Sequence, residues 1–314
     1  GAQVAHLWYL PYVYRKKNSK MLKMWIEAMR LRTLPVSVAG VLAGIACAIM
    51  GDTFSLVPAV LCLLFAMLAQ VASNFGNEYY DYVNGLDRKG REGFRRGVTE
   101  GDISPRAMKI ATYATLAVAA VVGCSMLFFG GWWLLPVGIA IGLFALAYSA
   151  GPYPLSHNGL GDVAVVVFFG IVPVTLTCYL QEDGWRSLSL SLPVSVAIGL
   201  LAANVLVVNN YRDVEDDRAV GKRTTVVIFG RKIMERCYLL SGFVAMLVMI
   251  PVWVKLSVFS LVVPAMFLFL HVKTWKKIIS SRGAALNPLL GATAKNLLLF
   301  TLLLLACSLM RYFF

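Results

Sequence analysis

Charged residues are scarce in this sequence. Asp, Glu, Lys and Arg make up only 14% of its 314 residues, whereas hydrophobic residues make up 59%. Soluble domains typically contain about 25% charged and about 45–50% apolar residues. The composition therefore excludes an ordinary soluble domain and indicates a polytopic membrane protein.

Cysteine and histidine are scarce as well. The six cysteines are scattered through apolar segments without a C-x-x-C pair, and the three histidines lack the spacing of metal ligands. This pattern excludes a disulfide framework. We interpret the cysteines as small buried hydrophobic residues.

Acidic residues are the rarer charged type, with 16 against 29 Lys and Arg, for a net charge of +13. A basic protein can bind nucleic acid, but these cations are confined to a few loops. Seven lie in residues 1–32, seven in 88–109, seven in 212–236 and four in 273–282. The positive-inside rule accounts for this distribution. We therefore expect no nucleic-acid partner, and a multi-pass membrane protein whose N-terminus and basic loops face the cytoplasm.

Long uncharged runs divide the chain, and each approaches the ~20 residues that cross a bilayer. Residues 22–32 instead predict a basic amphipathic helix at the interface. We assign residues 21–314 to one transmembrane domain and residues 1–20 to an N-terminal extension, native or added. The runs predict an all-α bundle of nine transmembrane helices, near 33–51, 55–77, 106–129, 132–150, 162–180, 190–209, 236–254, 256–272 and 288–310.

One acidic segment follows directly on the uncharged run 187–211. In a helix, Asn209, Asp213 and Asp217 are spaced i, i+4 and i+8, so their oxygens line one stripe. Such oxygens are the ligands that Mg²⁺ takes, together with a phosphate of the substrate. Lys222 and Arg223 follow at once, and both side chains suit phosphate.

An earlier segment has the same pattern. Asn77 and Asp81 share a helical face at the end of another uncharged run. Asp87 breaks the spacing, but Asn84-Gly85 is a turn signal, so we expect the helix to end there and Asp87 to fold back to the same site. Either segment alone could be a solvated helix end. Two matching segments favour a metal site.

A loop between two predicted spans, residues 148–162, carries aromatic residues and glycines but no cation. A tight Gly/Pro connection and a role in substrate contact are equally consistent with it. Tyr148 and Tyr153 are its candidate substrate contacts. We interpret His157 as an interface residue, with a role as catalytic base left open.

Two acidic stripes at one end of an apolar bundle suit a particular chemistry. Mg²⁺ held there would bind a diphosphate whose hydrocarbon tail runs into the bundle, and it would stabilise the departing diphosphate. An allylic diphosphate ionises to a carbocation, which requires that water be excluded. Aromatic ring faces can support such a cation.

The motifs resemble those of the UbiA superfamily of intramembrane aromatic prenyltransferases, over residues 22–314. Many members space the first motif as Asn-x3-Asp-x3-Asp. Here Gly85 holds the third position, and five residues separate Asp81 from the next aspartate, Asp87. This x5 spacing resembles the branch that prenylates 1,4-dihydroxy-2-naphthoate. Many relatives also carry a basic residue in the central loop, and residues 148–161 have none. The resemblance rests on Arg30-Leu31-Arg32-Thr33-Leu34-Pro35, Asn77-x3-Asp81-x5-Asp87, Arg95-Arg96-Gly97-Val98-Thr99, Gly151-Pro152-Tyr153-Pro154-Leu155, Gly159-Leu160-Gly161, Asn209-x3-Asp213-x3-Asp217 and Gly221-Lys222-Arg223-Thr224.

The resemblance implies transfer of a polyprenyl group from polyprenyl diphosphate to the naphthoate, with loss of diphosphate and CO₂, giving demethylmenaquinol. It implies one Mg²⁺ on Asn77, Asp81 and Asp87 and another on Asp213 and Asp217, with Asn209 assisting. The candidates for binding the diphosphate or the naphthoate carboxylate are Arg32, Arg96, Lys222 and Arg223.

Two other functions are compatible with the sequence. A sibling prenyltransferase would use 4-hydroxybenzoate, homogentisate or a chlorophyllide as acceptor. A cation-coupled secondary transporter would also carry two similar motifs with acidic residues in membrane helices. Transporter sites, however, usually lie near the bilayer midplane, whereas these carboxylates end their spans. The sequence leaves the tail length and the oligomeric state open.

Overall fold

The computed structural model describes residues 21–90, 93–182 and 184–313, so the N-terminal extension assigned to residues 1–20 lies outside the described residues. The described chain is helical and contains no strand. The predicted all-α class is therefore confirmed. The helices are α1 (Met21–Met29), α2 (Leu34–Met50), α3 (Leu56–Val83), α4 (Pro105–Ser125), α5 (Leu127–Gly130), α6 (Leu134–Ala147), α7 (Gly161–Val165), α8 (Val172–Glu182), α9 (Leu188–Ala219), α10 (Thr225–Phe229), α11 (Arg231–Val248), α12 (Ile250–Lys255), α13 (Val262–Ile279) and α14 (Asn287–Phe313).

Seven helical stretches are long and apolar enough to cross a membrane, among the described residues. An eighth span is possible if α1 and α2, which are bent by 50° at residues 30–33, count together. The stretch predicted at 132–150 forms only α6, which has 14 residues. At 1.5 Å per residue this helix is shorter than the ~30 Å hydrocarbon layer. The chain is thus a multi-pass membrane protein with close to the nine spans expected.

Helix α9 forms the centre of the bundle. Within its apolar stretch of 18 residues, 72% is buried inside the bundle, the largest share among the spans. The α7–α8 stretch contains one π-helical turn, Val166–Ile171, and this turn lies directly against α9. A Cβ atom on Gly199 would come within 2.7 Å of the Val166 carbonyl oxygen. Small residues at such crossings let two backbones approach closely, as is common between membrane helices.

Helices α3 and α9 both continue past their apolar runs. Helix α3 has 28 residues and ends at Val83, and α9 has 32 residues and ends at Ala219. Both motifs are therefore helical, as their spacing predicted. The chain leaves α3 through Asn84 and Gly85, and Gly85 has φ +68°, a conformation that favours glycine.

The loop between α3 and α4 folds over the end of α3. Val98 and Ile103 from this loop pack with Ala28, Phe75 and Met108 in a small apolar cluster. The cluster holds the loop against α1 and α4, and it places the Arg95-Arg96 pair beside the first acidic motif. The charged ends of α3 and α9 thus lie under the same loops.

Candidate active site

A polar cavity of about 50 Å³ lies between the charged ends of α3 and α9. Five of the six predicted metal ligands line it, and Asp87 does not. The wall opposite the two motifs comes from the loop 148–162 and from the start of α10. The lining residues are Arg30, Asn77, Asp81, Arg96, Tyr148, Ser156, Gly159, Gly161, Asp162, Leu206, Asn209, Asn210, Asp213, Asp217, Lys222, Thr224 and Thr225.

Asp81 is the most heavily paired carboxylate of the first motif. Its side chain is only 2% exposed, with Lys222 Nζ at 2.9 Å from one oxygen and His157 Nε2 at 3.2 Å from the other. Arg96 Nη2 lies 3.8 Å away. These contacts join the first motif to the segment after the second motif and to the central loop. His157, interpreted from the sequence as an interface residue with a role as base left open, therefore contacts a predicted metal ligand.

Asp87 does return toward the site, but Arg96 lies between it and Asp81. The Leu86 N–H donates to the Asp81 carbonyl oxygen at 2.8 Å, which closes the turn. Arg96 Nε then lies 3.6 Å from Asp87 Oδ2, and the Thr99 hydroxyl donates to the same oxygen at 3.0 Å. Arg96 thus lies within ion-pair distance of both Asp81 and Asp87, and it is itself buried.

Glu78, beside Asn77 in the first motif, binds the backbone of the α3–α4 loop. Its side chain is 1% exposed, and it accepts a hydrogen bond from the Val98 N–H at 3.0 Å. No local pattern predicts this contact, because the partners lie 20 residues apart. Glu78 thereby fixes the backbone that carries Arg96.

Arg212 organises the second motif. Its Nε and Nη2 donate to the two oxygens of Asp213 at 2.6 and 2.7 Å, and Nη2 also donates to Asn209 Oδ1 at 2.8 Å. A further bond, from Nη1 to Asn287 Oδ1 at 2.9 Å, ties α9 to α14. Arg212 was not among the predicted site residues. Its position within the acidic segment, three residues after Asn209 on the same helix, is the signal that could have found it.

Three of the predicted substrate-binding residues lie outside the cavity. Arg32 is exposed and places its guanidinium 4.4 Å from the centre of the Phe94 ring. Tyr153 is 61% exposed, and Arg223 is exposed with its backbone N–H donating to the His157 carbonyl oxygen at 2.9 Å. Arg32 and Arg223 are close in sequence to Arg30 and Lys222, which line the cavity, but they do not line it themselves.

Arg30 lines the cavity in place of Arg32. It adopts φ +52°, which is uncommon for a residue other than glycine. The conformation is held because the Thr33 hydroxyl donates to the Arg30 carbonyl oxygen at 2.9 Å and Asn74 donates to the Met29 carbonyl oxygen at 3.0 Å. This turn separates α1 from α2, and strained backbone of this kind clusters at functional sites.

Tyr148 lies where the polar cavity meets a much larger apolar one. Burial raises the pKa of the Tyr148 phenol, and the neighbouring Asp162 carboxylate raises it further, so the phenol stays protonated at neutral pH. The apolar cavity has a volume of about 460 Å³ and runs down into the bundle. Side chains of α3, α4, α6 and α8 line it, among them Phe65, Leu116, Leu143 and Leu176.

The residues of the polar cavity fit a hard divalent cation. Carboxylate and amide oxygens dominate the walls made by the two motifs, and Asn77 Oδ1 is buried without a hydrogen-bond partner in the described part of the chain. As the side chains stand, no three His, Cys, Asp or Glu side chains among the described residues are grouped to hold a metal ion alone. Lys222 and Arg212 instead neutralise Asp81 and Asp213. Mg²⁺ commonly needs only one or two carboxylates when a substrate phosphate completes its ligands.

Comparison with known proteins places this geometry in a family. The chain is 37% identical over 242 residues to a 1,4-dihydroxy-2-naphthoate octaprenyltransferase of Haemophilus influenzae, covering 72% of this chain and 76% of that protein. It is 35% identical over 296 residues to the protein of the same name from Escherichia coli, covering 89% and 92%.

The fold is also that of a solved structure. A UbiA homolog from Archaeoglobus fulgidus bound to DMAPP and Mg²⁺ superposes with a TM-score of 0.59 at 17% identity, covering 90% of this chain and 99% of that one. The sequence pattern of the UbiA prenyltransferase family matches residues 37–290. The chain therefore belongs to the UbiA prenyltransferase family.

Proposed function

We propose that this protein transfers a polyprenyl group from polyprenyl diphosphate to 1,4-dihydroxy-2-naphthoate. Diphosphate and CO₂ are lost, and the product is demethylmenaquinol, so the reaction belongs to menaquinone biosynthesis. The names of the Haemophilus and Escherichia relatives support this acceptor. Mg²⁺ is the proposed cofactor, since the Archaeoglobus homolog was solved with Mg²⁺ and a prenyl diphosphate.

One observation carries the proposal: a polar cavity built from two Asn-x3-Asp segments adjoins a 460 Å³ apolar cavity, and Tyr148 lines both. A polyprenyl diphosphate has the matching shape, with an anionic head and a long hydrocarbon tail. Burying the tail is favourable by about 25 cal/mol per Å² of apolar surface. The two cavities thus hold the head and tail of one substrate.

The site residues have separate roles in the proposed reaction. Asn77 and Asp81 would hold one Mg²⁺ with Asp87 behind them, and Asn209, Asp213 and Asp217 would hold the other. When bound, Mg²⁺ neutralises the diphosphate and stabilises its departure. Lys222 and Arg96 now pair with Asp81, and they lie where they can turn to the phosphate oxygens.

The polar cavity is small as it stands, and the cations around it are already paired with carboxylates. Its 50 Å³ holds only a few water molecules. Binding must therefore separate the cation–carboxylate pairs, and each cation would exchange a carboxylate for a phosphate partner. This exchange keeps every buried charge paired, which avoids the large cost of an isolated buried charge.

The acceptor also carries a carboxylate, which needs a cation near the cavity. Arg30 and Arg96 line the cavity and can supply it, whereas Arg32, Arg223 and Tyr153 point elsewhere. Tyr148, at the boundary between the two cavities, presents its ring where the allylic carbon of the substrate would lie. An aromatic face there can support positive charge.

The proposed location is the bacterial inner membrane, with the polar cavity open to the cytoplasm. The concentration of Lys and Arg in residues 88–109 and 212–236, which flank the cavity, supports this orientation. A secondary transporter is disfavoured because the carboxylates lie at the ends of α3 and α9 and not on broken helices at mid-membrane.

Product formation tests the proposal. Purified protein in detergent is incubated with a polyprenyl diphosphate and 1,4-dihydroxy-2-naphthoate, and products are identified by mass. We expect a prenylated, decarboxylated naphthalene product that forms with Mg²⁺ and is lost on adding EDTA. Uptake of a solute by vesicles without any covalent product would overturn the proposal in favour of a transporter.

A further inference from the structure

Two buried polar atoms on one wall of the cavity are not used by the metal or diphosphate chemistry. Asp162 Oδ1 and Thr224 Oγ1 are both inaccessible to solvent and have no hydrogen-bond partner among the described residues. The other oxygen of Asp162 accepts a hydrogen bond from the Thr225 hydroxyl. Leaving such an atom unsatisfied costs about 1–3 kcal/mol, so buried polar atoms normally have partners. Both residues line the polar cavity.

Thr224 is notable because of where it lies in the secondary structure. It is the N-cap residue of α10, a position at which threonine usually accepts a hydrogen bond from the helix backbone. Here the side chain makes no capping hydrogen bond. The hydroxyl is therefore not needed by the helix and is available to a ligand in the cavity.

Two glycines keep this wall close to its neighbours. A Cβ on Gly161, next to Asp162, would lie 3.2 Å from Leu206 and 3.7 Å from the Tyr148 hydroxyl oxygen. Gly159 adopts φ +74°, and a Cβ there would meet Ile228 at 2.7 Å. Glycine at position 161 thus lets Tyr148 approach the backbone beside Asp162.

The chemistry of this wall suits the aromatic acceptor better than the prenyl diphosphate. The cations of the cavity, Arg30, Arg96 and Lys222, are on other segments. A carboxylate oxygen with no cation beside it repels a diphosphate, but it accepts a hydrogen bond from a phenolic hydroxyl. A threonine hydroxyl can donate to or accept from the same kind of group.

We propose that Asp162 and Thr224 bind the ring hydroxyls of the aromatic acceptor. Asp162 Oδ1 accepts a hydrogen bond from one hydroxyl, Thr224 Oγ1 bonds the acceptor's hydroxylated edge, and Tyr148 borders the ring. The inference rests on the proposed function, because it takes a dihydroxynaphthoate as the acceptor. All three residues line the polar cavity, and the remainder of the ring lies toward the apolar cavity that shares Tyr148.

Steady-state kinetics of four proteins test this assignment: wild type, Asp162→Asn, Thr224→Val and Thr224→Ser. Hydrogen bonds to a charged group are worth enough that Asp162→Asn should raise the KM for the naphthoate about 10- to 100-fold. Thr224→Val should raise it about 3- to 10-fold, and Thr224→Ser should restore the wild-type value. The KM for the prenyl diphosphate and the Mg²⁺ concentration for half-maximal rate should stay within about 2-fold.

Two analogues that each lack one hydroxyl, 1-hydroxy-2-naphthoate and 4-hydroxy-2-naphthoate, identify the contact. They are measured as competitive inhibitors, so that the reactivity of the ring does not enter. Wild type should bind the dihydroxy compound more tightly than both. In Asp162→Asn, the discrimination against one of the two analogues should disappear, because the partner of the missing hydroxyl is gone.

The inference is overturned if Asp162→Asn leaves discrimination against both analogues unchanged, or if it raises the KM values of both substrates equally. Should Asp162→Asn fail to fold, the Thr224→Val and Thr224→Ser pair decides, since equal KM values for the naphthoate in that pair also overturn it. Failure of the proposed function is a different result: wild-type protein forms no prenylated naphthoate at all.

Discussion

Asp81 and Asp213 show how the site tolerates buried charge. Each carboxylate is 2% exposed, and each has a cation within 3 Å, Lys222 for Asp81 and Arg212 for Asp213. Removing one partner of such a pair leaves the other uncompensated, which typically costs several kcal/mol. At the scale of single residues, the site is therefore a set of paired charges, in which we propose that substrate and metal replace protein partners.

Replacing either carboxylate should nearly abolish turnover. We expect Asp81→Asn and Asp213→Asn each to lower kcat by about 10²–10³, the usual effect of removing one electrostatic group from a charge-developing step. The measurement is prenylation at saturating Mg²⁺, with thermal unfolding to verify that the variant folds. Glu215→Gln is the matched control on α9, since Glu215 is 63% exposed and, within the described part of the chain, pairs only with Arg218 and Arg231. Near-normal activity in either aspartate variant would exclude the metal role.

Lys222 and Arg223 are neighbours with different expected effects. Lys222 lines the cavity and contacts Asp81, whereas Arg223 is exposed. We expect Lys222→Ala to raise the KM for the prenyl diphosphate about 10-fold, the loss of one charge-assisted hydrogen bond, and Arg223→Ala to change it less than about 3-fold. Initial rates over a range of diphosphate concentrations measure both. A larger effect at Arg223 would mean that the binding site lies outside this cavity.

The sequence predicted the residues of the two stripes better than their partners. Helical spacing alone groups Asn77 with Asp81 and Asn209 with Asp213, because the helix repeat is fixed. The choice between Arg30 and Arg32 depends on Arg30 itself, whose φ of +52° lies where the chain bends by 50° between α1 and α2. A helical pattern extended through that residue does not show which arginine lines the cavity.

At the scale of elements, the α3–α4 loop determines where Arg96 lies. The loop is held by an apolar cluster on one side and by the Glu78–Val98 hydrogen bond on the other. The position of Asp87 depends on the same loop, through Thr99 and Arg96. The sequence predicted the turn at Gly85, but contacts between residues about 20 positions apart have no local signal.

Glu78 gives a test of this loop. Glu78→Gln retains an oxygen that can accept from the Val98 N–H, whereas Glu78→Ala leaves that N–H without its partner. We expect Glu78→Ala to lower kcat/KM about 10-fold and to make the loop 88–96 more sensitive to trypsin. Glu78→Gln should remain within about 3-fold of wild type in both assays. Equal losses in the two variants would show that the charge of Glu78, and not the loop contact, matters.

The crossing of α9 with the π-helical turn gives a second test. A Cβ on Gly199 would lie 2.7 Å from a backbone oxygen that cannot move easily, and overpacking of this kind costs about 1–3 kcal/mol. We expect Gly199→Ala to lower the Tm in detergent by several degrees. Gly138→Ala is the control, because nothing lies within 4 Å of a Cβ at Gly138. A Gly199→Ala Tm equal to that of wild type would contradict the close crossing.

For the whole molecule, the composition of the sequence predicted most of the architecture. Uncharged runs of span length and one-sided cations predicted a multi-pass helical bundle, since the bilayer restricts the possible folds. The shortness of α6 and the bend between α1 and α2 were not predictable, because they depend on packing against neighbouring helices. The apolar cavity likewise arises from four helices together and leaves no mark in any one of them.

The proposed prenyl transfer depends on a polar cavity and an apolar cavity that adjoin each other at Tyr148. Asp81 and Asp213 come from helices that are far apart in sequence, and both line one polar cavity. Beside it lies the apolar cavity that we propose for the polyprenyl tail. The metal chemistry is common to sibling enzymes that use other acceptors. The acceptor is therefore the most specific part of the proposed function.

Competition between acceptors tests that claim most directly. Purified protein is given Mg²⁺, a polyprenyl diphosphate, and equal concentrations of 1,4-dihydroxy-2-naphthoate and 4-hydroxybenzoate, and both products are quantified by mass. We expect the prenylated naphthalene product to predominate by at least about 10-fold, because the site's polar groups match only one acceptor. Predominant prenylation of the benzoate would contradict the naphthoate assignment while leaving the prenyltransferase intact.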